Sequence, residues 1–311
     1  MAGWASWLSM KTCPASFSRH FMLERLLAIL FPIFVIVAAG FFYARKHKPE
    51  MAVANRLNMD VFVPALVFSA LAGKSFDLLA YGPLALGALV VLLGCGLLAW
   101  PVARLLGVQW KTFVPPMTFN NAGNMGLPLA VLAWGESALP AAVILFMVEN
   151  TLHFSLGARM LDKDARVMTL WKIPVVAATL AGLAVSLLKI PLWDPALTAI
   201  KMLGDIAVPL LLFSLGVRMT DVRFSRLCVP LVGAFLRPAV GMGLAWGCVQ
   251  VLGLQGREAA MLIVFGALPP AVLNFLFAER YHQEPDRVAA IVLIGNLSAL
   301  IVLPIALALV L

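Results

Sequence analysis

The chain has 311 residues, 62% of them hydrophobic and 12% charged, with a net charge of +8. A soluble domain averages about half apolar and a quarter charged, so this composition belongs to the membrane class; about ten spans of roughly 20 residues use up the length and leave none for a soluble catalytic domain. No basic run exceeds a few residues, so nucleic acid is not an expected partner and the positive charge reads as loop charge that orients the chain in a lipid bilayer.

In chain order, residues 1–21 are short, mixed and weakly apolar, without the apolar centre of a signal peptide. Met22-Leu-Glu-Arg-Leu-Leu opens a better membrane-protein start, so 1–21 reads as an extension or a misassigned start. Apolar segments bounded by charge or Gly/Pro clusters then fall at 26–44, 56–73, 81–106, 112–133, 138–160, 171–189, 196–218, 227–253, 259–279 and 288–310. The expected fold is an all-α polytopic membrane protein of ten transmembrane helices. Loops after the odd-numbered spans carry 15 Lys and Arg, the opposite side seven, and Arg237 lies inside span 8. Positive charge marks the cytoplasmic side, so the odd loops face in and both termini face out across a cell (inner) membrane.

The chain is internally duplicated. Asp60, Val63, Pro64, Leu66, Phe68 and Ser69 of span 2 recur in span 7 as Asp205, Val208, Pro209, Leu211, Phe213 and Ser214, at a constant offset of 145. Pro32 and Gly40 of span 1 match Pro174 and Gly182 of span 6, while Pro83, Gly94 and Gly96 of span 3 match Pro230, Gly241 and Gly243 of span 8. This divides the chain into repeat 1 (22–161), a cytoplasmic linker (162–169) and repeat 2 (170–311). Five spans per repeat is an odd number, so the second copy enters the membrane from the opposite side. Secondary transporters use such inverted repeats for alternating access around a site at the repeat interface.

Spans 4 and 9 are interrupted. Span 4 reads Pro115-Pro116-Met-Thr-Phe-Asn120-Asn121-Ala-Gly123-Asn124-Met-Gly126-Leu-Pro128, and span 9 reads Gly266-Ala-Leu-Pro269-Pro270-Ala-Val-Leu-Asn274. Asn is costly in hydrocarbon, Gly weakens a helix and Pro removes a donor, so an unwound stretch near Asn120–Gly126 is expected, with tandem prolines breaking span 9 at the matching place. Freed N–H groups and the positive end of a half-helix suit an anion. The candidate binding residues are Asn120, Asn121, Gly123, Asn124, Gly126, Pro269, Pro270 and Asn274. The plain alternative is two kinked helices with packing asparagines.

With these residues in view, positions 22–311 resemble the auxin efflux carrier family, which includes plant auxin exporters and bacterial malonate or malate carriers. Asn121-Ala-Gly-Asn-Met-Gly126-Leu-Pro128 is similar to its fourth-helix signature, and Pro269 with Phe277-Ala278 and Tyr281 to its ninth. The short connection between spans 5 and 6 resembles the bacterial branch. The resemblance implies a fold related to bile-acid symporters, in which helices 1, 2, 6 and 7 form a scaffold and helices 3–5 and 8–10 a transport domain that moves as an elevator. It also implies that helices 4 and 9 cross at mid-membrane, that Asn121 binds a substrate carboxylate with Pro269 at the crossing, and that the scaffold forms a homodimer. Asn120 stands where plant carriers tend to have proline.

An ionisable residue inside a span is a functional candidate because leaving it there is expensive. Glu149 in span 5 and Arg237 in span 8 are expected to pair, holding those spans together. In sharper versions Arg237 neutralises an anionic substrate or Glu149 carries a coupling proton. Asn150 and Asn296, at an offset of 146, read as a duplicated site-lining pair or as helix–helix hydrogen bonds. Asp60 and Asp205 read as equivalent structural contacts, with an ion site as the alternative.

No metal-ligand or paired-cysteine spacing is present, and no cofactor is expected. HExxH, GxSxG and Walker motifs are missing, which disfavours an enzyme or an ATP-driven pump. A channel, or a cation-coupled symporter or antiporter of the same broad fold, remains open beside the organic-anion carrier.

Overall fold

The computed structural model describes residues 15–72, 79–163, 174–221 and 227–311. The first half contributes helices α1 (Ala15–His47), α2 (Ala52–Leu57), α3 (Val63–Leu71), α4 (Gly82–Leu105), α5 (Trp110–Thr118), α6 (Leu127–Trp134), α7 (Leu139–Leu152) and α8 (Ala158–Leu161). The second half contributes α9 (Pro174–Leu187), α10 (Asp194–Asp205), α11 (Ala207–Arg218), α12 (Cys228–Leu252), α13 (Gly256–Ala267), α14 (Leu273–Arg280) and α15 (Pro285–Val310). Widened turns at Asn58–Phe62, Ala122–Gly126 and His153–Gly157 join α2 to α3, lead into α6 and join α7 to α8. Among the described residues no strand forms.

Six helical stretches among these residues are long and apolar enough to cross a bilayer: Leu27–His47, Gly82–Leu105, Glu136–Leu161, Asp194–Arg218, Cys228–Leu252 and Pro285–Val310. They correspond to expected spans 1, 3, 5, 7, 8 and 10. The other four expected spans coincide with shorter helices: α2 and α3 at span 2, α5 and α6 at span 4, α9 with 14 residues at span 6, and α13 and α14 at span 9. Helix α1 begins upstream of Met22, so the expected boundary there falls inside a helix. Residues 1–14, most of the linker, Lys74, Arg166, Trp171, Lys172, Arg223 and Arg226 lie outside the described residues.

The helices sort into two packed groups. In one, α1 lies on α11, and α3 lies on α9 and α10. In the other, α4 packs on α5, α7 and α12, while α12 packs on α13 and α15, and α15 on α14. The first group contains a matched pair of close approaches. A Cβ on Gly40 of α1 would run into the Phe213 carbonyl of α11, and one on Gly182 of α9 would sit 3.3 Å from the Phe68 carbonyl of α3. Gly40 and Gly182 are duplicated positions, and so are Phe68 and Phe213. At Gly40 the backbones meet with no room for a side chain, and at Gly182 a side chain would press on its neighbours.

The groups touch where α1 meets α6 and α15, α3 meets α7, and α11 meets α6 and the Ala122–Gly126 turn. That seam holds several of the buried polar residues, among them Asn58, Asn121, Glu149 and Ser214.

Candidate functional site

The tandem prolines dictate the local geometry. In a continuous helix, residues 269 and 270 would donate to the carbonyls of Phe265 and Gly266, and proline has no N–H to give. Helix α13 ends at Ala267; Leu268 N–H still reaches Phe265 O at 3.3 Å, and two side chains add donors to the two carbonyls. Asn120 Nδ2 donates to Phe265 O at 2.8 Å, and Arg237 Nη1 donates to Gly266 O at 2.6 Å. The chain then runs extended, with Leu268 at φ −60°, ψ 142°, and meets a second extended point at Phe119, φ −96°, ψ 118°, just beyond α5.

The two extended points pair with each other. Asn120 and Pro270 form an antiparallel bridge in which Asn121 N–H donates to Pro269 O at 2.7 Å and Ala271 N–H donates to Phe119 O at 3.0 Å. Three buried amides brace it. Asn274 Nδ2 donates to Phe119 O at 3.1 Å, Asn121 Nδ2 donates to Asn296 Oδ1 at 2.8 Å, and Asn296 Nδ2 donates to Pro270 O at 3.0 Å. Helix α15 passes so near that a Cβ on Gly295 would lie 2.6 Å from Pro270 Cδ.

A cleft of about 450 Å³ opens beside this bridge. One wall carries Asn120, Asn121, Gly123 and Asn124, with Ala271, Val272 and Leu273 and, from α7 and the turn after it, Glu149, Asn150 and His153. The opposite wall comes from the other helix group: Asn55, Arg56, Asn58 and Asp60 around the Asn58–Phe62 turn, and Leu211, Ser214 and Arg218 on α11. Gly123 and Asn124 lie in the turn leading into α6, and Ala271 to Leu273 lead into α14. The cleft therefore receives the positive dipole ends of both downstream half-helices.

Several side chains in these walls are buried with polar atoms unpartnered. Asn58 is 1% exposed and neither its Nδ2 nor its Oδ1 has a partner; Ser214 Oγ, Asn120 Oδ1 and Asn150 Nδ2 are in the same condition. Such atoms normally find a hydrogen bond, and five of them are gathered here. Glu149 and His153, 3% and 1% exposed, face each other with Oε1 and Nδ1 2.9 Å apart. The His153 ring stacks on Phe119 at 4.3 Å between centroids.

Of the sequence candidates, Asn120, Asn121, Gly123, Asn124, Glu149 and Asn150 line the cleft. Pro269, Pro270, Asn274 and Asn296 instead hold the bridge, and Gly126 packs on Leu268. Arg237 departs from both expectations. No ion pair joins it to Glu149, which takes His153, and it is buried behind the crossing on Gly266 O rather than in the cleft. The aspartates also part company: Asp60 lines the cleft, whereas Asp205 borders a separate open groove with Ile36 and Pro209.

Asn58, Ser214 and His153 were not on the sequence list. Ser214 had a signal, as the partner of duplicated Ser69. Ser69 bonds back to Leu66 O at 3.0 Å, and Ser214 does not. His153, an ionisable residue inside span 5 one turn from Glu149, had one too, whereas Asn58 had none.

A protein from Rhizobium meliloti (strain 1021) named "Putative malonate transporter" is 27% identical over 197 residues, covering 58% of this chain and 60% of that protein. Auxin efflux carrier component 6 of Arabidopsis thaliana is 26% identical over 194 residues, 59% of this chain and 31% of the plant protein. The chain thus spans well under two thirds of both. "Uncharacterized transporter YfdV" of Escherichia coli (strain K12) is 24% identical over 287 residues, 84% of this chain and 90% of that protein. The family model described as "Membrane transport protein" matches residues 26–173 and 165–307. With that match over nearly the whole length, the chain belongs to this membrane transport protein family, the family of the auxin efflux carriers.

Proposed function

We propose that the protein is a secondary carrier for a small organic anion, a mono- or dicarboxylate, held between the bridge and the Asn58–Ser214 wall. The observation that carries this reading is the cleft itself, where two half-helix starts and a set of unpartnered buried amides converge from opposite sides. The ligand chemistry follows from the charges. No acidic side chain stands at either chain break, while Asn124 and the opening turns of α6 and α14 present donors and positive dipole ends, which favour a carboxylate over a cation.

In this proposal the ten expected helices form two inverted five-helix repeats, and helices 4 and 9 are broken and cross at mid-membrane. The duplicated Gly40–Phe213 and Gly182–Phe68 approaches support the repeat, since each glycine of one half seats on the duplicated phenylalanine of the other. The group of α1–α3 and α9–α11 acts as scaffold, and the group of α4–α8 and α12–α15 as the transport domain that slides past it. The seam between the groups is the cleft, as an elevator requires. Arg56 and Arg218 at its rim lie on the side that charge bias assigns to the cytoplasm, so the cleft faces inward. The chain resides in the cell (inner) membrane with both termini outside, as a homodimer through the scaffold. A relative named for malonate transport supports the carboxylate class.

Reconstitution into liposomes tests the reading with labelled malonate, malate, pyruvate and indole-3-acetate. Saturable uptake of at least one, above protein-free liposomes, is expected. Asn121→Ala or Asn124→Ala is expected to leave a folded protein whose melting temperature no longer rises with that substrate. A substrate-induced rise retained in both variants would overturn the site.

A further inference from the structure

The Glu149–His153 pair places two ionisable side chains in the buried wall of the cleft. Both side chains are nearly sealed from solvent, at 4% and 1% exposure, yet both line the cleft, 2.9 Å apart between Oε1 and Nδ1. Burying ionisable groups is expensive unless the charge serves a purpose, and a carboxylate with an imidazole one turn away is a place where a proton can reside. We infer that Glu149 and His153 form the binding site for a coupling proton, and that the carrier moves its organic anion together with that proton. The inference rests on the carrier reading.

Electrostatics supplies the coupling. An anion between Gly123, Asn124 and the α14 start shares the cleft with the Glu149 carboxylate, and the two repel across a largely desolvated space. A proton on the dyad removes that repulsion, so each ligand strengthens binding of the other. By linkage the effect is reciprocal, and anion and proton load together and leave together.

Among the described titratable side chains, only this pair both lines the cleft and is buried. Helix α3, helix α6 and the Ala122–Gly126 turn, all packed on α7, bring no titratable side chain; the Glu136–Ala138 turn brings Glu136, α13 has Arg257 and Glu258 at its start, α4 brings Cys95 and Arg104, and α8 and α14, beside His153, bring Arg159, Glu279 and Arg280. Arg237 of α12 acts on Glu149 electrostatically but makes its hydrogen bond to Gly266 O. Across the cleft stand Arg56, Asp60 and Arg218 on the scaffold wall. Glu149 and His153 belong to the transport group, so a proton held there travels with the anion. His153 stacks on Phe119, whose carbonyl receives both Ala271 N–H and Asn274 Nδ2, and this ties the dyad to the crossing.

The test uses the full chain in liposomes with a pH-reporting dye inside and the voltage clamped at zero by potassium and valinomycin. The probe is whichever of labelled malonate, malate, pyruvate or indole-3-acetate is taken up fastest, with protein-free liposomes subtracted. Added anion is expected to carry protons inward, and one pH unit, acid outside, to sustain about tenfold accumulation for one proton per anion. Glu149→Gln and His153→Asn are expected to lower the ratio of gradient-driven uptake to anion exchange by about tenfold. A pair that merely held α7 would depress uptake and exchange together and leave the ratio unmoved, which would overturn the inference. Saturable uptake by the unaltered protein, without proton entry and indifferent to the gradient, would overturn the dyad and leave the carrier standing. No saturable uptake of any of the four would overturn the carrier reading and the dyad with it.

Discussion

Asn58 and Ser214 sit on the scaffold wall with every polar side-chain atom unpartnered. A buried polar group without a hydrogen bond costs about 1–3 kcal/mol, and a protein retains such a cost where function repays it. The sign of a substitution then separates structure from function. Ser214→Ala and Asn58→Leu are expected to leave the substrate-free protein as stable or up to about 1 kcal/mol more stable, since each removes an unsatisfied group. The same changes are expected to weaken anion binding about three- to tenfold, the worth of one lost hydrogen bond. Melting curves with and without substrate read both effects. A destabilised empty protein with unchanged binding would show that these side chains serve packing alone. Residues of this kind are poorly legible in sequence, because nothing local distinguishes an asparagine bonded to a neighbour from one that waits for a guest. The duplicated serines make the point: the same motif is satisfied in Ser69 and unsatisfied in Ser214.

At the scale of elements, the stretches dense in Asn, Gly and Pro are legible in sequence and the hydrogen bonds around them are not. Asn, Gly and Pro density marks 120–126 and 269–270 because each residue type is costly in an apolar helix for a separate reason. The expected Glu149–Arg237 pair came from matching opposite charges at similar depth, which ignores the backbone. A helical count would have done better: tandem prolines at 269 and 270 orphan the carbonyls of 265 and 266, and something buried and donating must serve them. Asn120 and Arg237 do so. This assignment predicts a specific loss. Arg237→Met leaves Gly266 O without a donor and is expected to lower stability by about 1–3 kcal/mol, less the relief from removing a buried charge. Arg237→Lys keeps a donor at this position and is expected to recover about half of that loss, read from melting curves. Equal melting temperatures for Arg237→Met and Arg237→Lys would mean that Arg237 does not act as the cap of α13.

At the scale of the whole molecule, the duplication is visible in sequence because six identities at one offset survive in spans 2 and 7. What the repeats pack against was beyond reach, since a helix surrounded by lipid is apolar on all sides and its pattern does not name its neighbours. The two packed groups make the elevator reading testable by cross-linking, after Cys13, Cys95, Cys228 and Cys248 are replaced. Asn55→Cys on α2 and Leu276→Cys on α14 place thiols on opposite walls of one cleft. A reducible bifunctional reagent joining them is expected to stop uptake, and reduction to restore it. Tyr43→Cys and Phe213→Cys place thiols within one group, where the native rings lie 5.8 Å apart between centroids of α1 and α11. Joining those two is expected to leave uptake running, because α1 and α11 move as one body. Uptake that survives the first link, or stops equally with the second, would mean that the groups do not slide past each other and that access to the cleft alternates by some other motion.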